Sequence, residues 1–163
     1  MAAIGMLRAL GHEAIISVDL SAEKRQAVLG AGATAVVDAS GEGVTDRILS
    51  AAGGPVLAVI DLVNGTATAT FALAALRKGG TLVQVGLFGG DLRLSLPPMV
   101  MKALTIRGSY VGNPVELREL VALAQNGRVP PLPVTTMPKS QANTALHRLR
   151  DGQVTGRVVL VAE

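Results

Sequence analysis

Apolar and polar positions follow two rhythms along this chain, and the two rhythms take turns. Short apolar runs rich in β-branched residues are typical of parallel strands that are buried on both faces. Between these runs, apolar residues recur every three or four positions, as they do on one face of a helix. The predicted strands cover residues 14–18, 34–38, 56–61, 81–85, 104–110 and 156–161, and the predicted helices cover residues 4–10, 22–29, 44–52, 66–76, 97–101, 114–125 and 140–149.

This order of elements predicts an α/β fold built on a doubly wound, Rossmann-like parallel sheet with right-handed crossovers. Residues 1–128 form the predicted sheet domain. Within it, Leu92, Leu94 and Leu96 alternate with polar residues, which predicts an edge strand. Residues 129–163 form a predicted return segment, because VPPLPVTTMPK holds four of the eight prolines and must run extended or turning out of the sheet domain.

Composition narrows the class of protein. With 163 residues, the chain has room for one domain, or for one domain and a fragment of another. Hydrophobic residues make up 49% and charged residues 17%, which is enough apolar material for a sizeable core. The net charge of +3 arises from scattered basic residues, and only three residues are aromatic, so we expect no nucleic-acid partner. The absence of cysteine excludes disulfides, thiolate zinc sites and cysteine nucleophiles.

The apolar stretches also bear on location. Each has the length of a strand, whereas a membrane-spanning helix needs about 20 apolar residues, so we expect no membrane partner. The opening residues MAAIGMLRALG contain neither a basic amino-terminal segment nor a cleavage site. We therefore expect no signal peptide and a cytoplasmic protein.

Asp19 is the first candidate for binding chemistry. It stands at the carboxyl end of what would be the second strand of a dinucleotide-binding fold, where a carboxylate accepts hydrogen bonds from both ribose hydroxyls of adenosine and repels a 2′-phosphate. Lys24, five residues later, lies within reach of the ribose. An Asp beside a capping Ser in any strand-to-helix turn explains Asp19 equally well, and only its place in the order of elements favours the binding role.

A glycine-rich turn should precede such an acid. The G-x-G-x-x-G turn lies about 20 residues before the acid, after the first strand. Here 18 residues precede Asp19, and Gly5 is the only glycine ahead of Gly11. We therefore expect that these residues begin inside the first helix and lack both the first strand and the turn that holds a pyrophosphate.

Five segments in family order and spacing resemble the medium-chain dehydrogenase/reductase superfamily, which includes zinc-type alcohol dehydrogenases and quinone oxidoreductases. They are ALGHEAIISVDLSAEKRQAVLGAGATAVVDAS, VIDLVNG, LRKGGTLVQVGL, GSYVGNPVELRELVALAQNGRV and TALHRLRDGQVTGRVVLV. The resemblance extends over essentially the whole chain. It implies the carboxyl-terminal, cofactor-binding part of an alcohol-dehydrogenase-like oxidoreductase that transfers hydride between NAD and an alcohol or carbonyl substrate.

The resemblance also implies the residues that bind the cofactor. Asp19 and Lys24 correspond to the ribose-binding acid and its neighbouring lysine, which implies NAD rather than NADP. Arg157 corresponds to an arginine that returns from the final segment to the pyrophosphate. The turns over the cofactor and its nicotinamide end correspond to Leu62, Val63 and Asn64, to Val85, Gly86 and Leu87, and to Ser109, Tyr110 and Val111.

By the same resemblance, the catalytic machinery lies outside these residues. The family's zinc ligands and general acid belong to an amino-terminal catalytic domain, to which nothing here corresponds. His12 and His147 are the only histidines, and both fall at predicted helix ends without a partner at ligand spacing. We expect no catalytic or metal-binding residue in this chain. An NADPH-dependent, quinone-reductase-like fragment, which Asp19 disfavours, and a non-catalytic Rossmann-fold assembly domain remain the alternatives.

Three further expectations concern assembly and binding. Without its first strand, the usual 3-2-1-4-5-6 order has a central gap, which we expect a swapped segment, a rearranged strand or a partner chain to fill. The alternating leucines and the strand at 104–110 form an apolar edge, which predicts a homodimer, although a hairpin folded back on its own sheet explains this edge nearly as well. Without the glycine turn, we expect the chain to bind NAD weakly or not at all.

Overall fold

The structure is a computed structural model that describes residues 1–162. Seven strands and seven α-helices follow one another along these residues, with a 3-10 turn at Lys139–Gln141 before the last helix. The strands are β1 (Ile16–Asp19), β2 (Ala35–Asp38), β3 (Val56–Asp61), β4 (Leu76–Gln84), β5 (Thr105–Gly108), β6 (Val134–Pro138) and β7 (Arg157–Val161). The helices are α1 (Ala2–Ala9), α2 (Ala22–Gly30), α3 (Val44–Ala52), α4 (Thr66–Ala75), α5 (Leu96–Met101), α6 (Pro114–Gln125) and α7 (Ala142–Arg150).

Local chemistry accounts for where the helices begin. The Ser21 hydroxyl accepts a hydrogen bond from the Lys24 amide at 3.3 Å, which caps the start of α2. At α6, the Asn113 side chain accepts from the Glu116 amide at 3.1 Å, while the Glu116 carboxylate accepts from the Asn113 amide at 2.8 Å. Pro114 follows at the first helical position, so α6 begins with a complete capping box.

All the strands pair in parallel, which confirms the doubly wound α/β prediction. β1 pairs with β2, β3 with β4, β4 with β5, and β6 with β7. Asp19 lies opposite Asp38 in the first pair, and Asp61 lies opposite Gln84 and Gln84 opposite Gly108 in the three-stranded sheet. Neighbouring strands therefore end level with each other, and their carboxyl ends share one edge of each sheet.

The expected central gap is present between β1 and β3. These strands share one core cluster, in which Ile16 of β1 and Val56 of β3 pack with Ile48 of α3 and Ala75 of α4. Nevertheless, β1 pairs only with β2, and β3 only with β4. No strand formed by residues 1–162 enters the gap, so a rearranged strand of this chain does not fill it, while a swapped segment or a partner chain remains a prediction.

Two further clusters complete the core. Ile4 of α1 packs with Ile15 and with Val28 of α2, which covers the β1–β2 sheet. Leu76 and Leu82 of β4, both fully buried, pack against Ala72 of α4. The three-stranded sheet is therefore tightly packed at β4, its central strand.

The predicted edge strand at Leu92–Leu96 is wrong. Residues 92–95 form no strand, and Leu96 begins α5. The preceding residues are instead tethered to the turn after β3 and the start of α4: the Phe88 amide donates to the Val63 carbonyl at 3.1 Å, and the Asp91 amide to the Thr66 hydroxyl at 3.0 Å. These bonds tie residues 88–91 to the turn after β3 and to the start of α4, and the homodimer that rests on the alternating leucines stays a prediction.

Smaller differences concern two element boundaries. The helix predicted to end at residue 76 ends at Ala75, and β4 begins at Leu76 instead of Thr81. The Lys102 ammonium donates to the Leu76 carbonyl at 3.1 Å, and the Gly79 amide donates to the Lys102 carbonyl at 2.7 Å. Lys102, which directly follows α5, thus anchors an irregular stretch of β4, where the register with β3 shifts between Val56 and Ala58 and Gly79 has a φ of 73°.

The return segment contains more regular structure than predicted. Part of its proline-rich stretch forms β6, which pairs with β7 across helix α7. Just before this segment, the Arg128 guanidinium donates to the Ala9 carbonyl, and within the segment the Thr155 hydroxyl donates to the Glu23 carboxylate of the sheet domain at 3.3 Å. The domain boundary at residue 128 stays a prediction.

The helices of the described residues were also compared in length and apolar character with membrane-spanning helices. Among residues 1–162, no helix combines the length and the apolar character that crossing a bilayer requires.

Candidate functional site

Asp19 lies where β1 ends and α2 begins, and one of its two carboxylate oxygens accepts a hydrogen bond within the turn. Oδ1 accepts a hydrogen bond from the Ser21 amide at 2.8 Å. This local bond orients the carboxylate at the turn, since Ser21 is itself fixed as the cap of α2. None of residues 1–162 donates to Oδ2 or forms an ion pair with Asp19, which leaves one carboxylate oxygen for a ligand.

Arg25 fixes the backbone around Asp19. Its guanidinium donates to the Asp19 carbonyl and to the Leu20 carbonyl, both at 2.8 Å, and to the Asp38 carboxylate at 2.9 Å. The same side chain therefore joins the carboxyl ends of β1 and β2. Hydrogen bonds from Ser40 hold the pKa of Asp38 below its ordinary value, and the positive charges of Arg25 and Arg47 act in the same direction.

A cavity of about 110 Å³ opens beside Asp19. Lys24 lines it from the first turn of α2, and among the described residues no carboxylate forms an ion pair with its ammonium. Asp19 and Lys24, two of the residues that line the cavity, thus each have a side-chain group that forms no ion pair with the described residues. Its walls are formed by Met1, Asp19, Lys24, Ala27, Val28, Val154, Thr155 and Gly156.

Arg157 follows directly after the cavity wall. Its backbone amide donates to the Pro133 carbonyl at 2.9 Å, which anchors the start of β7. The side chain is exposed and makes no hydrogen bond with residues 1–162. Arg157 therefore follows Gly156, a residue of the cavity wall, in the sequence. Its contact with a pyrophosphate stays a prediction.

The nine residues of the three predicted turns follow the ends of β3, β4 and β5. The Val85 amide donates to the Asp61 carbonyl at 2.9 Å, and the Ser109 amide donates to the Gln84 carbonyl at 2.9 Å, so the three strand ends are joined laterally. The structure therefore brings the three groups to one edge of the sheet. They are Leu62, Val63 and Asn64, then Val85, Gly86 and Leu87, and last Ser109, Tyr110 and Val111.

Asp61 organises the first of these turns, and sequence reasoning missed it. Its side chain is 6% exposed, and no other charged residue among those described is buried. Oδ1 accepts from the Val63 amide at 3.0 Å and from the Asn64 amide at 2.8 Å, while Oδ2 accepts from the Thr68 hydroxyl at 2.7 Å. The signal was in the sequence, because an Asp that ends a strand ahead of Asn-Gly favours a side-chain-capped turn.

The second turn closes against the first. A Cβ on Gly86 would lie 2.3 Å from the Val63 carbonyl carbon and oxygen, so only glycine fits there. The Gln84 side-chain amide donates to the Asn64 side-chain oxygen at 2.9 Å, and the Gly89 amide donates to the Asn64 carbonyl at 3.3 Å. These bonds hold Asn64 in its left-handed conformation, with φ of 59°.

The outer faces of these turns are apolar and open. Leu62, Val63, Leu87, Tyr110 and Val111 are all exposed. Among residues 1–162, no group of three or more His, Asp or Glu side chains is placed to hold a metal ion.

Comparisons with known proteins agree with one another. The sequence profile of a family described as zinc-binding dehydrogenase matches residues 1–126. The chain is 36% identical to an "NAD-dependent alcohol dehydrogenase" of Sulfurisphaera tokodaii over 98% of this chain and 46% of that protein, and equally identical, with the same coverage, to one of Saccharolobus solfataricus. The crystal structure of the alcohol dehydrogenase of Aeropyrum pernix superposes with a TM-score of 0.87 at 33% identity, covering 98% of this chain and 46% of that one. The chain thus spans about half the length of these relatives.

Proposed function

The chain belongs to the zinc-binding dehydrogenase family, and we propose that it forms the NAD-binding part of an alcohol-dehydrogenase-like oxidoreductase. When bound, the nicotinamide ring supplies the hydride chemistry, accepting a hydride from an alcohol carbon or giving one to a carbonyl carbon. The contribution of this chain is to bind the dinucleotide and to orient its ring. The names of the relatives, which specify NAD for two of them, support this assignment.

The free carboxylate oxygen of Asp19 is the observation that carries the proposal. A parallel-sheet fold binds dinucleotides at the carboxyl ends of its strands, beside the point where the strand order reverses. Asp19 ends the strand next to that point and lines a cavity there. In this proposal its Oδ2, which no described residue bonds, accepts from the ribose hydroxyls, whereas a 2′-phosphate would meet a negative charge at short range. The site therefore favours NAD over NADP.

Lys24 and Arg157 would complete the binding of the adenosine half. The unpaired Lys24 ammonium is a donor for the same ribose, because it lines the same cavity as Asp19. The exposed Arg157 guanidinium offers paired N–H donors and a positive charge to a pyrophosphate. Each group is free of ion pairs with the described residues, so binding a ligand would break no existing bridge.

The turns held by Asp61 would receive the nicotinamide half. The apolar side chains of Leu62 and Val63 would contact the ring, and the backbone of Val85 to Leu87 would bond its carboxamide. Ser109, Tyr110 and Val111 would border the ring at the end of β5. Because the turns are bonded to one another before any ligand arrives, little conformational entropy would be lost when the ring binds.

Residues outside these 163 would supply the rest of the enzyme. The catalytic zinc, the general acid and the substrate pocket belong, in this proposal, to the remainder of an enzyme of the family. A G-x-G-x-x-G turn at a helix amino terminus supplies amides and a dipole to the pyrophosphate, and residues 1–162 contain no such turn. We therefore expect these residues alone to bind NAD weakly or not at all.

The experiment compares NAD with NADP on two forms of the chain. The first form is the chain as it stands, followed by calorimetry and by backbone NMR shifts at Asp19, Lys24 and Thr155. The second form carries a β-strand and a G-x-G-x-x-G turn fused ahead of residue 1. We expect no micromolar affinity in the first form, and restored binding with a preference for NAD in the second.

Variants of the fused form test the role of Asp19. Asp19→Ala removes the ribose acceptor and the charge, so we expect NAD to bind about tenfold more weakly, about 1.4 kcal/mol, and NADP to lose less or to gain. Asp46→Ala, an exposed carboxylate on α3, is the control and should change neither affinity. A fused form with equal affinity for both nucleotides refutes this role for Asp19, a preference for NADP supports the quinone-reductase-like alternative, and no binding supports an assembly domain.

A further inference from the structure

Arg25 connects the turn that carries Asp19 to the end of the neighbouring strand. It is the fourth residue of α2, and its side chain is only 16% exposed. A guanidinium at such a depth needs hydrogen-bond acceptors. Nη1 donates to the Asp19 and Leu20 carbonyls, both at 2.8 Å, and Nη2 donates to the Asp38 carboxylate at 2.9 Å. One side chain therefore joins the ends of β1 and β2.

Hydrogen bonds, rather than packing, hold the turn between β1 and α2. The Leu20 side chain, at the centre of this turn, is 70% exposed and so contributes little burial. The Asp19 carbonyl also accepts from the Ala39 amide at 3.2 Å, and the Ser21 carbonyl accepts from the Arg25 amide at 2.9 Å. Arg25 thus bonds to the carbonyl oxygens of all three turn residues, 19 to 21. These bonds fix the conformation in which Oδ1 of Asp19 accepts from the Ser21 amide.

Asp38 compensates the charge of Arg25 at this edge of the sheet. Asp38 ends β2 directly opposite Asp19. Its Oδ2 accepts from Arg25, and its Oδ1 accepts from the Ser40 amide at 2.8 Å. Among residues 1–162, Asp19 forms no ion pair, although the guanidinium bonds to its backbone carbonyl. The positive charge that Arg25 brings to the Asp19 turn is therefore paired with the carboxylate of the neighbouring strand.

Arg47 of α3 provides an internal comparison. It donates three hydrogen bonds to backbone carbonyls at and after the end of β2, namely to Asp38 at 3.1 Å, to Ser40 at 2.5 Å and to Glu42 at 2.7 Å. None of these acceptors belongs to the turn between β1 and α2. The side chains of Arg25 and Arg47 therefore each donate three hydrogen bonds, but only Arg25 contacts that turn.

The chemistry of the ribose 2′ position determines what this ion pair means for a nucleotide. A 2′-hydroxyl donates a hydrogen bond and needs only an acceptor, such as the Asp19 carboxylate. A 2′-phosphate carries about two negative charges and is bound best by the paired N–H donors of a guanidinium. Nη1 and Nη2 of Arg25 already bond to three acceptors. A 2′-phosphate paired with both of these nitrogens would displace Asp38, which would then lie unpaired beside the phosphate.

We propose that Asp38, acting through Arg25, is a second determinant of the choice between NAD and NADP. Arg25 is a positioning residue, because it fixes the turn that carries Asp19. Asp38 pairs with the guanidinium, so that this cation does not bind a 2′-phosphate. The identity of the ligand rests on the proposed function, whereas the coupling between Arg25 and the turn rests only on the hydrogen bonds of its side chain and amide.

Hydrogen exchange without any ligand tests the positioning role. Arg25→Met removes the donors while keeping an unbranched side chain of similar helix propensity, and Arg47→Met is the matched control that loses as many bonds. The reporters are the Ser21 amide, which bonds to Asp19, and the Lys24 amide, which bonds to the Ser21 hydroxyl. We expect their exchange to become about tenfold faster in Arg25→Met and to stay within about twofold in Arg47→Met. Equal acceleration in both variants, or none in Arg25→Met, would overturn the positioning role.

Two nucleoside probes test the specificity role on the intact chain. Adenosine and adenosine 2′-phosphate differ only in the 2′-phosphate, and neither contains the pyrophosphate that a glycine turn would bind. NMR titration at millimolar concentrations, followed at the Ser21 and Thr155 amides, gives the ratio of their affinities. Asp38→Ala frees the guanidinium of Arg25, so we expect the ratio to shift about tenfold toward the 2′-phosphate. Asp46→Ala removes an equal charge from an exposed position on α3 and should leave the ratio within about twofold.

Further variants separate the freed guanidinium from the lost carboxylate charge. Asp38→Asn keeps an acceptor for the Ser40 amide and should shift the ratio in the same direction as Asp38→Ala. Arg25→Met combined with Asp38→Ala should abolish the gain. A gain that persists in this double variant, or an unchanged ratio in both Asp38 variants, would overturn the specificity role alone. If neither probe shifts the site amides in any variant, the adenosine site of the proposed function fails as well, and the exchange result on Arg25 stands separately.

Discussion

Removing the carboxylate of Asp61 should destabilise the chain and loosen the turn proposed for the nicotinamide. The carboxylate accepts two backbone hydrogen bonds and one from the Thr68 hydroxyl, at 2.7 to 3.0 Å. A hydrogen bond to a charged group contributes about 1.5–3 kcal/mol, and the lower figure applies here because Val63 is exposed and its amide can bond to water. This contribution is already net of desolvation, and bonds that share one carboxylate are not additive, so the three together contribute less than the roughly 4.5 kcal/mol of their sum. We expect Asp61→Ala to lower the free energy of unfolding by about 2–3 kcal/mol.

Asp61→Asn separates geometry from charge. The Asn oxygen can still accept from the Val63 and Asn64 amides. Its NH₂ group can donate to the Thr68 hydroxyl, whose own hydrogen can then bond to the Gly65 carbonyl, already 3.0 Å away. All the contacts survive in neutral form, so the loss should be about 1 kcal/mol.

Equilibrium urea unfolding measures both losses, and hydrogen exchange locates them. Amides bonded to this turn, namely those of Val63, Asn64 and Phe88, should exchange faster in Asp61→Ala. Asp91→Ala removes an exposed carboxylate and serves as the control, with a change within about 0.5 kcal/mol. The reasoning is refuted if Asp61→Ala matches this control, or if Asp61→Asn costs as much as Asp61→Ala.

Two more predictions concern a close approach and a surface carboxylate. Gly86→Ala should lower the melting temperature by several degrees, because the added Cβ would collide with the Val63 backbone. Gly108→Ala is the control and should not lower it, because nothing lies within 4 Å of a Cβ at that position. Equal effects of the two variants on the melting temperature would contradict the close approach at Gly86. The pKa of Asp38 is lowered, so the folded state binds this proton less tightly than the unfolded state does. The ionised carboxylate therefore stabilises the fold at pH values above the ordinary Asp pKa of about 3.9, and this stabilisation is lost as the pH falls through the lower pKa of the folded state. Asp38→Asn should therefore reduce the acid-induced loss of stability in unfolding experiments between pH 5 and pH 2, and an unchanged pH dependence would count against the hydrogen bonds from Ser40.

Much of the fold follows from local sequence. The helices over Val44–Ala52 and Pro114–Gln125 and the strand over Val56–Asp61 agree with their predicted bounds to the residue. Each has a local cause, such as the capping box of Asn113 or a β-branched run that ends in Asp. The position of Asp19 at the end of β1 was also predictable, because it depends only on the order of elements, while its binding role stays a prediction.

Only the tertiary structure decided features that depend on which segments meet. Leu92, Leu94 and Leu96 carry the alternation of a strand, but the preceding segment is tied to the start of α4, and alternation cannot specify a partner that is distant in the sequence. The roles of Asp61 and Gly86 likewise depend on contact between two turns that lie about 20 positions apart in sequence. Periodicity records which face of an element is apolar, whereas packing alone determines what that face meets.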